Sequence, residues 1–188
     1  MSLDFDSARL PNPNLREEHH EWRTQLRKFI VTEIIPHAED WDDAGHIPIE
    51  PAPKAAAVGL LGLGYPEHYG GISEGIDSWH QWVANEELAR IGVGGIPASL
   101  MVHGIGLPPV LNWGSDELKE RIAPPVLAGD KHIALGITEP GGGSDVAQLA
   151  TTAVLDGDHY VVNGSKTFIT GGMRANWVST AVRTGGEG

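Results

Sequence analysis

Two stretches hold the residues with the most chemical potential: the glycine-rich run Gly136-Ile137-Thr138-Glu139-Pro140-Gly141-Gly142-Gly143-Ser144-Asp145 and the later Ser165-Lys166-Thr167-Phe168-Ile169-Thr170. Three successive glycines after an apolar run let backbone approach a ligand closely, and their N–H groups can point at an anion or a carbonyl oxygen. Thr138, Ser144 and Thr170 are hydroxyls at expected strand ends, the sort of donors and acceptors that fix a planar heterocycle by its edge. Read as a strand, residues 165–170 place Phe168 and Thr170 on one face and Ile169 on the other. An aromatic ring and a hydroxyl side by side could hold a flat ring. A core phenylalanine next to a satisfied threonine is the plainer alternative.

Several familiar sites are excluded by spacing. A dinucleotide fingerprint would need glycine at 146, where Val146 stands, followed by a helix rather than residues of strand type. Gly164-Ser165-Lys166-Thr167 interrupts the Gly-Lys-Thr of a phosphate loop and lacks its earlier glycine. His20-Glu21 is followed at the last position of a zinc-protease motif by Thr24. With no cysteine there is no disulfide framework, cysteine zinc site, iron–sulfur cluster or thiol nucleophile, and no metal site is expected. Asn163-Gly164-Ser165 matches a glycosylation sequon that has no export signal beside it, because Asp4 and Asp6 stand where a secretory leader needs positive charge.

The elements that must carry these residues fall into two unlike segments. Residues 1–130 are helix-patterned. Trp22, Leu26, Phe29 or Ile30, and Ile34 recur at three and four, with Pro36 expected to end the helix. A second helix is expected over 76–91, opened by Asp77 and Ser78, with Trp79, Val83 and Leu88 inward; a third over 97–113; and a fourth over 117–127, capped by Ser115 and closed at Gly129. From Lys131 the period becomes two. Strands are expected over 132–138, 151–155, 159–163, 165–170 and 177–183, with Asp156-Gly157 and Asn163-Gly164 as hairpin turns. The expected fold class is α+β: an all-α domain over 1–130, then an antiparallel β domain from 131 to 188.

The 188 residues include 25 Gly and 13 Pro and carry 13 Lys plus Arg against 25 Asp plus Glu, a net charge of −12. Residues 1–130 hold 20 acids and 9 bases, residues 131–188 five and four, so the acidity belongs to the helical segment. A chain this acidic with no basic cluster is not expected to bind nucleic acid. The most apolar window, 55–65, is about half of the ~20 residues that span a bilayer. A cytoplasmic location without a membrane span is expected.

Taken in order, GITEPGGGSDVAQ (136–148) and DGDHYVVNGSKTFIT (156–170) resemble the opening of the middle domain of the acyl-CoA dehydrogenase family. Upstream, YPEHYGG (65–71), NEELAR (85–90) and KERIAPPVLAGDK (119–131) resemble that family's N-terminal helical domain. Gln148 replaces a residue usually small in the family, and Phe168 stands where many members have Trp. The resemblance implies an FAD site. Leu135, Gly136, Ile137, Thr138, Glu139, Pro140, Gly141, Gly142, Gly143 and Ser144 would line the cofactor, and Phe168, Ile169 and Thr170 would flank its ring. Thr138 would bond the pyrimidine edge, Thr170 would lie near N5, and Ser144 would also meet the pantetheine of the substrate. It further implies a fatty acyl-CoA dehydrogenase of fatty acid β-oxidation, in which a glutamate removes the α-proton while the β-hydride moves to N5. Electrons would pass to an electron-transfer flavoprotein, and the enzyme would be a homotetramer or heteromer. The family's C-terminal helical bundle, with its base glutamate, is expected beyond residue 188; Glu139 is read as a loop-ordering acid, and Leu100, Met101 and Ile105 as part of the acyl wall. The alternatives are a flavin oxidase or monooxygenase on the same fold, and a non-catalytic truncated subunit.

Overall fold

The computed structural model describes residues 3–185. Residues 1–2 and 186–188, the outer ends of the two expected domains, lie outside the described residues. The chain divides into two compact bodies: one takes the described residues up to Met101 together with Asp116–Lys131, the other Val102–Ser115 and the described residues from His132 on.

The first body is built on the helices α1 (Glu17–Phe29), α2 (Ala38–Asp43), α3 (Pro51–Ala57), α4 (Ser78–Ala89), α5 (Gly95–Leu100) and α8 (Asp116–Leu127), with a parallel bridge between Leu63 and Ile72. Its core forms where the apolar stripe of α1, Leu26 and Phe29 continuing into Ile30 and Ile34, meets Ala84 and Leu88 of α4. Pro36 does not end the first helix cleanly. The chain passes through a π turn (Ile30–Ile34) and a 3-10 turn (Ile35–His37) before resuming as α2. Pro36 lies in the first turn of the 3-10 segment, where a missing N–H costs nothing, and the widened π turn absorbs the bend.

Glu87, inside α4 and fully buried, is neutralised by a fork from Arg27 (Nε to Oε2 2.9 Å, Nη2 to Oε1 2.8 Å) and by Arg90 Nε at 2.8 Å. The helix expected over 97–113 is broken. It appears as α5, then α6 (His103–Gly106) and α7 (Pro108–Trp113), the latter two belonging to the second body. Pro108 and Pro109, which have no N–H to continue a preceding helix, open α7 at its first two positions, where proline is tolerated.

The second body joins α6 and α7 to four strands: β1 (Ile133–Gly136), β2 (Thr152–Asp156), β3 (His159–Asn163) and β4 (Trp177–Thr180). β2 and β3 form the expected antiparallel hairpin, Thr152 opposite Asn163, and Gly157 supplies the positive φ of 64° that its two-residue turn requires. β1 instead pairs with β4 in parallel, Ile133 opposite Trp177. Gly106 lets α6 press on β1: a Cβ there would lie 2.9 Å from the Ile133 carbonyl oxygen. Ser179 Oγ ties the contact by donating to the Gly106 carbonyl at 2.7 Å.

The strand expected over 165–170 is absent, and Asn163-Gly164 is not a hairpin turn. Phe168 takes a left-handed backbone, φ 56°, which breaks the period-two alternation. Phe168 and Thr170 therefore do not share the face of a strand.

Candidate functional site

The glycine loop grows directly out of β1. Glu139 and Gly142 exchange backbone N–H···O bonds of 3.0 Å each way, closing a tight turn over Pro140 and Gly141. A Cβ at Gly141 or Gly142 would meet nothing within 4 Å, so this backbone is bare to an incoming group; at Gly143 it would crowd Thr138 Cγ2 at 3.0 Å. The 164–170 segment is laid against the loop by the Thr167 N–H, which donates to the Thr138 carbonyl at 2.9 Å.

Two cavities flank the loop within the second body. The smaller, about 320 Å³, is walled by Leu135, Ile137, Thr138, Gly143, Phe168, Ile169 and Thr170, with Val102, Ile105 and Val146 completing it. It is mostly apolar, carries two hydroxyls and includes no acid. The larger, about 450 Å³, takes Ile137 and Glu139 to Gly143 and extends to Asp145, Gln148 and Ser165. Gly136 lies buried in β1 and Ser144 is exposed beside the loop; neither lines either of these two cavities. Of the acyl-wall candidates, Ile105 reaches the smaller cavity, whereas Leu100 is buried in the helical core and Met101 packs against it.

Glu139 is 9% exposed and both of its carboxylate oxygens accept hydrogen bonds. Oε1 accepts from Lys166 Nζ at 2.8 Å and from the Thr151 N–H at 2.9 Å, while Oε2 accepts from the Ala150 N–H at 2.7 Å. The Lys166 bond, aided by these backbone donors, lowers its pKa to about 2. Such an acid holds no proton near neutral pH and orders the loop. Sequence reasoning missed Lys166, Val102 and Val146. Lys166 stood inside a quoted motif, and a single cation in an otherwise uncharged stretch was the available signal.

In the helical body, His19, Asp77 and His80 bring three potential metal-ligating atoms within 4.8 Å of one another. Their bonding is that of helix capping. Asp77 Oδ1 accepts the N–H groups of Trp79 (3.0 Å) and His80 (3.3 Å) at the start of α4. His19 Nδ1 accepts the Arg16 N–H at 2.9 Å, which leaves the ring proton on Nε2, 2.9 Å from Asp77 Oδ1. Both nitrogens of His19 are engaged within the protein.

Residues 16–130 match the model for the acyl-CoA dehydrogenase N-terminal domain, and residues 134–188 the model for the middle domain of the same family. The chain is 36% identical to the acyl-CoA dehydrogenase apdG of Emericella nidulans over 95% of its own length and 45% of that protein's. It superposes with a TM-score of 0.86 on a probable acyl-CoA dehydrogenase from Mycobacterium abscessus, at 48% identity over 92% of this chain and 46% of the other. An acyl-CoA dehydrogenase from Bacillus anthracis solved in complex with FAD matches at 32% identity and a TM-score of 0.82, over 95% of this chain and 31% of that one. The chain thus spans less than half the length of the curated relative. No helix among the described residues is long and apolar enough to cross a membrane. With both of its segments matched in order, the chain belongs to the acyl-CoA dehydrogenase family.

Proposed function

We propose that this chain forms the helical domain and the opening of the β domain of an FAD-dependent enzyme that desaturates a fatty acyl-CoA thioester between its α and β carbons. The observation that carries the reading is the cavity of about 320 Å³ beside the bare glycine loop, apolar on its walls and hydroxylated at Thr138 and Thr170. Such a lining suits a flat heterocycle with polar edges. Leu135, Ile137 and Ile169 would give its walls, Thr138 would bond the pyrimidine edge, and Phe168 and Thr170 would flank the ring. Gly136 would let the loop leave β1, Glu139 and Pro140 would shape it, and the backbone of Gly141 to Gly143 with Ser144 would meet the pyrophosphate. Ser144 would also touch the substrate's pantetheine.

Bound FAD would supply the hydride acceptor. The chain's own task is to orient the ring and keep water from it, since hydride transfer and α-proton removal both need fixed geometry and a dry, preorganised pocket. No acid lines this cavity among the described residues, and Glu139 is held by Lys166 and by the N–H groups of Ala150 and Thr151. As the family resemblance implies, the base for the α-proton is proposed to be a glutamate beyond residue 188. Electron transfer to an electron-transfer flavoprotein, assembly as a homotetramer or heteromer, and a cytoplasmic location complete the proposal. The first two rest on family membership.

The test is an anaerobic absorbance spectrum of the purified native protein before and after saturated acyl-CoAs of short to long chain. A flavin band that bleaches with one of them and recovers slowly in air supports desaturation. Fast recovery in air without an acceptor protein points instead to an oxidase. A protein that carries no flavin and takes up none overturns the reading.

A further inference from the structure

Three stretches far apart in sequence, 137–142, 149–151 and 164–167, meet on one ion pair that the apolar cavity does not use. Glu139 takes the N–H groups of Ala150 and Thr151 and the ammonium of Lys166. Lys166, 12% exposed, also donates to the Ile137 carbonyl at 3.0 Å, and the next residue donates through Thr167 N–H to the Thr138 carbonyl at 2.9 Å. Two consecutive carbonyls of the loop are thus held by two consecutive residues of the later segment.

A buried ion pair is weak evidence for stability, because desolvation offsets most of the attraction. Its better-attested effect is to select one arrangement among close alternatives. Such selection is needed here. Residues 164–170 form no strand, and Phe168 holds a left-handed backbone, φ 56°, that a phenylalanine does not favour on its own. The segment that carries one wall of the cavity lacks the ladder that would otherwise fix its distance from the glycine loop.

We propose that Lys166 and Glu139 act together as positioning residues, their ion pair setting the spacing between the glycine loop and residues 168–170, and hence the width of the cavity that would accept the flavin ring. This rests on the flavin reading above. Neither side chain lines the cavity walled by Leu135 and Thr170, so neither is a catalytic residue.

The test uses the full-length protein as wild type, Lys166→Met, Lys166→Arg, Glu139→Gln and the Glu139→Gln/Lys166→Met double variant, each checked for folding by circular dichroism. Two quantities are read: amide exchange at Ala150, Thr151 and Thr167 without flavin, and the dissociation constant for added FAD by fluorescence. Lys166→Met is expected to speed exchange at Thr167, leave Ala150 and Thr151 protected by Glu139, and weaken FAD about tenfold or more, the effect of losing the ammonium's hydrogen bonds to Glu139 and the Ile137 carbonyl. Lys166→Arg restores most of the affinity, and the double variant binds no more weakly than Glu139→Gln alone. Unchanged exchange at Thr167 with unchanged affinity in Lys166→Met, or losses that multiply in the double variant, overturns the clamp. If wild type binds no FAD the flavin reading fails, while the exchange pattern still decides the clamp.

Discussion

Replacing Phe168 separates what its backbone costs from what its ring does. The ring is 90% exposed, so truncation removes almost no buried area, and Phe168→Ala should leave the flavin-free protein within about 0.5 kcal/mol of wild type. The backbone is the costly part. At φ 56° a residue with a Cβ forfeits roughly 1–2 kcal/mol that glycine does not, while glycine gives back about 0.5–1 kcal/mol through its freer unfolded chain. Phe168→Gly should therefore be more stable than Phe168→Ala by about 0.5–1 kcal/mol, read as a higher urea midpoint at equal slope. If the ring lies against the flavin, losing an aromatic contact of about 0.5–1.5 kcal/mol weakens FAD about 2- to 12-fold in both variants. An alanine variant more stable than the glycine variant would refute the left-handed backbone. Undiminished FAD affinity would remove Phe168 from the cofactor's surroundings.

Gly129 in the helical body has φ 78°, and a Cβ there would lie 2.4 Å from the Ala52 carbonyl carbon, so Gly129→Ala should cost about 3 kcal/mol or more by thermal unfolding; Gly75→Ala, φ 72° in open space, should cost only about 1 kcal/mol. Asp77→Ala removes the cap of α4 and the partner of fully buried His19, an expected loss of about 2–4 kcal/mol in urea unfolding, against which Asp77→Asn should recover part. Glu139 titrates near 2 in the folded protein against an ordinary 4.5. Because the folded value is the lower one, its contribution is complete above about pH 4.5 and is lost as the pH falls toward 2, so urea midpoints from pH 5 to 3 should drop more steeply in wild type than in Glu139→Gln.

The parts of this fold legible in the sequence are those in which local signals agree. Trp22 to Ile34 shows a three-four stripe, and those residues do enter a helical core. Asp156-Gly157 sits between two alternating runs and becomes a hairpin. What misled was pattern without its tertiary setting. Phe168-Ile169-Thr170 alternates like a strand, yet the chain turns left-handed at Phe168, directly after two residues that bond back to Ile137 and Thr138. The apolar spacing of 97–113 resembles one helix, yet α5 stops at Leu100 and the stretch is divided between two bodies after Met101. In the candidate site, the glycine loop was visible as composition. Lys166 was not assigned a role, because its acidic partner lies 27 residues earlier and no periodicity links them.

FAD is proposed to sit against residues 135–143 and 168–170. The most direct test of this placement is hydrogen exchange by mass spectrometry on the full-length protein with and without FAD. Added FAD should slow exchange in the peptides that cover 135–143 and 168–170 and leave the β2–β3 hairpin unchanged. Binding of FAD with protection confined to other peptides would contradict the account.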